Sequence, residues 1–145
     1  MRTLPSILTI EYIPVAEVTL YPKKILSPGD TTTPLGEFSK LMLTEPASST
    51  TTPERTDNGL IYITKVNGSI FDDKNSTMQH RLQINFNVYR LTDVYKNKYL
   101  IGTEDKPFPE ILFFPVNEAG DGGRRLIDFE ITWKSTLPPI DIVDL

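Results

Sequence analysis

The sequence predicts an all-β protein: a single-domain antiparallel β-sandwich or barrel over residues 1–145, with long polar loops. Three observations point there. Apolar residues recur at every second position in several windows, which is the period of a strand. Twelve Pro are scattered along 145 residues and would interrupt long helices. No long window carries apolar residues at helical spacing. A chain of this length buries roughly 68–70% of its unfolded surface, so a core forms without metal or disulfide support. About seven to nine strands are expected.

Ile7–Ile13 reads as a strand with Leu8, Ile10 and Tyr12 on one face. Val15–Leu26 reads as another, with Val18 and Leu20 inward. Two breaker-rich stretches, 27–37 with Pro28-Gly29-Asp30 and 46–58 with Ser48-Ser49-Thr50-Thr51-Thr52-Pro53, read as extended loops. Phe38–Leu43 and Leu91–Lys98 are the places for a short helix. Leu60–Val66 is a strand ending at Asn67-Gly68, and Ser69-Ile70-Phe71 restarts beyond it. Asn-Gly between two such runs predicts a tight hairpin, because both central residues of a type I′ turn take positive φ. Arg81–Tyr89 alternates most clearly, with Leu82, Ile84, Phe86 and Val88 opposed to Arg81, Gln83, Asn85 and Asn87. Ile111–Phe114, bracketed by Pro107, Pro109 and Pro115, suits an edge strand or a strand bounded by turns. Gly120-Asp121-Gly122-Gly123 then reads as a hairpin loop leading into Leu126–Lys134. That strand sets Ile127, Phe129, Ile131 and Trp133 against Asp128, Glu130, Thr132 and Lys134. After Pro138-Pro139, residues 137–145 form a C-terminal arm. It either adds a strand to a neighbouring subunit's sheet edge or folds back onto its own domain.

The residue inventory excludes much chemistry. There is no Cys, so disulfide frameworks, thiolate metal sites and a thiol nucleophile are out. A single His80 excludes a centre built from two imidazoles and reads as a structural strand-end residue. No run of about 20 apolar residues is present, so no membrane span is expected. Met1–Pro5 lacks an apolar leader core, and Glu11 interrupts the first apolar stretch, so no secretory leader is expected. The Asn67-Gly68-Ser69 and Asn75-Ser76-Thr77 sequons then read as chance matches. Asp72-Asp73 and Glu104-Asp105 lack the spacing of a calcium loop and read as turn chemistry. The Gly-rich 120–123 segment lacks the Lys-Ser/Thr of a phosphate loop and precedes a strand. Trp133 reads as core, the alternative being an exposed stacking platform. No catalytic residue, metal or cofactor is therefore expected. The net charge is −4, but residues 74–103 carry five basic groups and one acidic group between two acidic flanks. That polarity suits pairing within the chain or with a neighbouring copy. It is too sparse for specific nucleic-acid binding.

Tyr99-Leu100-Ile101-Gly102-Thr103, Lys106-Pro107-Phe108-Pro109-Glu110, the Gly-rich loop, Arg124-Arg125-Leu126 and Phe129-Glu130-Ile131-Thr132-Trp133 together resemble short β-rich virion proteins of tailed bacteriophages. The resemblance implies a non-enzymatic structural subunit of the tail or head–tail connector ring. Its partners would be copies of itself and neighbouring virion proteins, and it would be assembled in the host cytoplasm into the virion. The expected contact regions are 27–37, 46–58 and 137–145. The expected interface residues are Arg124, Arg125, Ile140, Ile142, Val143 and Leu145. The competing reading is a monomeric β-sandwich binding module for carbohydrate or a protein partner, using Trp133 or loop tyrosines. A hydrolase would need two carboxyls facing each other in a cleft.

Overall fold

A computed structural model describes residues 2–21, 25–71, 76–115 and 126–143. These form β1 (Arg2–Thr3), β2 (Ile7–Pro14), β3 (Thr19–Tyr21), β4 (Thr31–Leu35), β5 (Ser39–Leu41), β6 (Ser48–Thr56), β7 (Gly59–Phe71), α1 (Ser76–Ile84), β8 (Asn87–Asp93), β9 (Lys98–Ile101), β10 (Glu110–Pro115), β11 (Leu126–Ser135) and β12 (Ile140–Ile142). Two sheets pack together as an all-β sandwich, with no closed barrel.

Sheet one runs β1-β6-β7-β11-β10, antiparallel throughout. Its alternation is clearest in β11, as expected for a sheet with one buried face. Ile127, Phe129, Ile131 and Trp133 of β11 are buried beside Val66 and Ile70 of β7 and Ile111 of β10. Asp128, Glu130, Thr132 and Lys134 take the outer face. The Trp133 indole N–H donates to the Pro107 carbonyl at 3.0 Å, so burying the ring strands no polar atom. The β10–β11 pairing places these strands in one hairpin; its 116–125 connection, with Gly120–Gly123, lies outside the described residues.

Sheet two runs β3-β4-β12-β9-β8-β2-β5 and is mixed, because β12 lies parallel to β4. Its middle strands are buried on both faces. Ile10, Tyr89, Leu91 and Ile101 point one way; Ile13, Val88, Leu100 and Ile140 point the other. A chain-length constraint explains this. Only Gly36-Glu37-Phe38 link β4 to β5, a reach of about 14 Å. In a flat sheet those strands would stand five steps apart, about 24 Å. The sheet therefore curls, and the short link crosses its concave face. A Cβ on Gly36, whose φ is +139°, would collide with the Ile13 side chain. The Phe38 ring carries the Arg90 guanidinium 4.0 Å from its centroid, and Arg90 forks onto Glu11 at 3.1 and 2.7 Å. The convex face packs toward sheet one. Ile7 pairs with Ala47 at the corner where the chain passes between sheets, and Ala47 lies beside Gly68.

Several expectations are corrected. The Arg81–Tyr89 strand is not one: α1 occupies Ser76–Ile84 and β8 begins at Asn87. Leu82 and Val88 are buried, but Ile84 and Phe86 stay exposed, so their alternation with the core residues was incidental. Met78, Gln79, Arg81, Leu82 and Gln83 are good helix formers, and α1 lies along the β10 edge, where Gln83 accepts the Phe113 N–H at 3.3 Å. His80 is exposed on that helix. Phe38–Leu43 and Leu91–Lys98 are not helical; they contribute to β5 and to the β8–β9 hairpin. The loops expected at 27–37 and 46–58 hold β4 and β6. Among the described residues of Val15–Leu26, only β3 forms, after a 3-10 turn at Val15–Glu17. In β2 a register shift between Ile7 and Thr9 buries Ile7, Ile10 and Ile13 and leaves Leu8 exposed.

The hairpin expected at Asn67-Gly68 does not exist either. β7 runs unbroken through it, and the turn is Asp57-Asn58, closing Thr56 onto Gly59. Gly68 sits opposite Phe129, and a Cβ there would stand 2.8 Å from the aromatic ring and 3.1 Å from the Ala47 methyl. Its absent side chain admits the ring. Gly68→Ala is expected to lower unfolding free energy by about 1–3 kcal/mol in chemical denaturation; an unchanged midpoint would refute this packing.

Candidate functional site

The concave core decides what the C-terminal segment is. β12 inserts between β4 and β9, with Ile140 opposite Leu100 and Ile142 opposite Thr32. The Val143 N–H donates to the Thr32 carbonyl at 2.9 Å, and the Thr33 hydroxyl donates to the Val143 carbonyl. Of the two fates expected for 137–145, its described part, 137–143, takes the second, folding back onto its own sheet. Ile140, expected at an interface, is buried in its own core; Ile142 is half-buried and Val143 exposed. Arg124, Arg125 and Leu145 lie outside the described residues, as do Asp72-Asp73.

Three surface features remain. The first is the far end of the β6–β7 hairpin. β1 pairs with β6 only at Thr50 and Thr51, and β11 pairs with β7 only from Tyr62 onward. Among the described residues, 52–61 therefore form a two-stranded ribbon with both edges open. Residues 52–60 are all exposed, and Leu60-Ile61-Tyr62-Ile63 carries apolar groups on both of its faces.

The second is a groove of about 510 Å³ on the outer face of sheet one, bordered by Glu45, Asp128, Glu130, Asn67 and Phe114. Ser69 donates its hydroxyl to Asp128 at 2.5 Å, and Thr132 donates to Glu130 at 3.2 Å. Leu112 and Phe114 stand exposed on the same face.

The third is the tip of the β8–β9 hairpin, Val94–Lys98. Buried Asp93 builds it. One carboxylate oxygen accepts the Tyr95 and Asn97 N–H groups, each at 2.9 Å, and the other accepts the Tyr99 hydroxyl at 3.0 Å. The Lys96 N–H closes onto the Asp93 carbonyl at 3.0 Å, with Lys96 held at φ +68°. Tyr95 is 73% exposed, and Lys96 and Lys98 have no ion pair among the described residues. Sequence reasoning placed a helix here. The Asp93 and Asn97 pair flanking Val94-Tyr95-Lys96 was the available turn signal. For the ribbon, the signal was Asp57-Asn58-Gly59, which the Asn67-Gly68 reading displaced.

No helix among the described residues is long and apolar enough to cross a membrane, and no three His, Asp or Glu side chains among them group as metal ligands.

Ile140→Ala is expected to cost about 2–5 kcal/mol of stability, and Val143→Ala within about 0.5 kcal/mol; equal effects in denaturation would contradict the interior placement of β12. Burial, and then the hydrogen bond to Asp93, keep the Tyr99 phenol protonated above its ordinary range, and burial also pushes the Tyr89 phenol up. Both folded values are raised, so their stabilisation is complete below the unfolded value of about 10 and is lost as pH climbs through the folded values. Melting temperature is expected to fall above about pH 10, and less steeply in Tyr99→Phe; parallel curves for the two proteins would sink this account.

Comparison of the chain with protein-family models, with curated proteins and with solved structures found no match to any of them.

Proposed function

We propose that the chain is a non-enzymatic structural subunit that assembles with copies of itself, of the kind that builds tails and head–tail connector rings of tailed bacteriophages. The ribbon at 52–61 carries this reading. An isolated two-stranded ribbon is marginally stable in water. Open edges together with apolar groups on both faces invite further strands or a second surface. A monomer would normally blunt or cover such an element; an assembling subunit uses it as a contact arm. The resemblance seen in the sequence supplies the virion setting, and the ribbon retains part of the expected 46–58 contact region. The binding-module alternative loses its main platform, because Trp133 is 1% exposed and committed to Pro107.

The test is light scattering coupled to size exclusion across concentration, with negative-stain imaging. The unaltered chain is expected to form discrete closed oligomers or growing polymers. A variant with 54–60 replaced by a two-residue turn is expected to keep its melting temperature and lose association. A monomer at every concentration overturns the reading.

A further inference from the structure

We infer that the β8–β9 tip of one copy docks into the acidic groove on sheet one of the next. This rests on the assembly reading and adds a second contact to that of the ribbon.

The two surfaces complement each other in charge and in kind. The tip presents Lys96 and Lys98 around Tyr95 and Val94, both exposed. The groove presents Glu45, Asp128 and Glu130 around Phe114, with Leu112 beside it. Two ammonium groups meet three carboxylates, and an aromatic–aliphatic pair meets another. Phe114 and Leu112 stand opposite Asp128 and Glu130 on neighbouring strands, so the apolar and charged groups of the groove alternate within one patch. A groove of about 510 Å³ admits a tyrosine side chain.

The tip is prepared for docking. Asp93 is 1% exposed, and its carboxylate is committed wholly to shaping the turn and holding Tyr99. A turn held in this way loses little freedom on binding, which removes part of the ordering cost of association. Lys96 sits in the left-handed region that non-glycine residues rarely occupy, so the turn is held against its local preference.

The groove belongs to sheet one, whereas the tip is tied to the end of sheet two through Asp93 opposite Ile7 and through the Val94 N–H on the Ser6 carbonyl at 3.0 Å. A tip anchored this way does not swing round onto its own outer face. The complement is met by a second copy. A contact between two different patches of identical chains is heterologous, and repetition gives a ring if the rotation closes or a filament if it does not.

The test uses the full chain in three forms: unaltered, Lys96→Glu/Lys98→Glu, and Glu45→Lys/Glu130→Lys. Each altered pair leaves like charge on both tip and groove, so each variant alone is expected to associate about tenfold or more weakly. Mixed in equal amounts, the two variants present opposite charges at every tip–groove contact, and assembly is expected to return. Tyr95→Ala, which alters an exposed side chain, is expected to weaken association with an unchanged melting temperature. Circular dichroism confirms folding of every form. If the unaltered chain associates and the variants associate equally well, singly and mixed, the tip–groove contact is wrong and the assembly reading stands. If the unaltered chain stays monomeric even at low salt, the assembly reading itself falls.

Discussion

Three residues between β4 and β5 constrain most of this molecule. A link that short does not span a flat seven-stranded sheet, so sheet two curls around a second apolar layer. Ile13, Val88, Leu100 and Ile140 fill that concavity, with Leu20 and Pro34 from the far strands on the same face. The Glu11–Arg90–Phe38 stack closes it beside the crossing link. Glycine at 36 is required by the same geometry, since any side chain there meets Ile13.

The curl also determines which segments are free to meet other molecules. Taking β12 as an interior strand converts the C-terminal arm from a contact device into a part of the fold. Removing 137–145 would open the sheet between β4 and β9, and loss of assembly in that truncation would say nothing about exchange between subunits. Among the described residues, sheet one leaves much of its outer face and the far end of its longest hairpin exposed. The proposed contacts therefore lie on rigid elements: a ribbon extending β6 and β7, a groove on β7, β10 and β11, and a turn clamped by a buried carboxylate.

Charge follows the same division. The basic middle of the sequence is split by the fold: Arg90 turns inward to Glu11, while Lys96 is exposed on the turn and Lys98 is half-buried at the start of β9. The acidic flanks likewise separate, with Glu104 used internally as acceptor for the Leu20 N–H at 2.9 Å, and Asp128 and Glu130 left on the outer face. Complementarity between copies survives only where the fold has not already satisfied it.

Where one face is buried and the other wet, sequence alone was sufficient: the start and both faces of β11 were legible, as were the burial of Trp133 and the all-β class. Alternation failed where both faces are covered or neither is. β8 and β9 are buried on both sides by the curl, and Ile84 and Phe86 mimic a strand while standing exposed around a helix end. Asn67-Gly68 carries a strong local turn signal, yet cross-strand packing of Phe129 needs a glycine in the middle of β7, and a long-range contact outweighed a local preference. The Thr- and Ser-rich stretches look like loops by composition, but β4 and β6 form there because neighbouring strands offer a full ladder of backbone partners. Local period thus determined the class and the one-sided strands. Tertiary structure decided the register, the turns and the fate of the C-terminal segment, because each depends on how far a short link reaches and on which distant strand lies alongside.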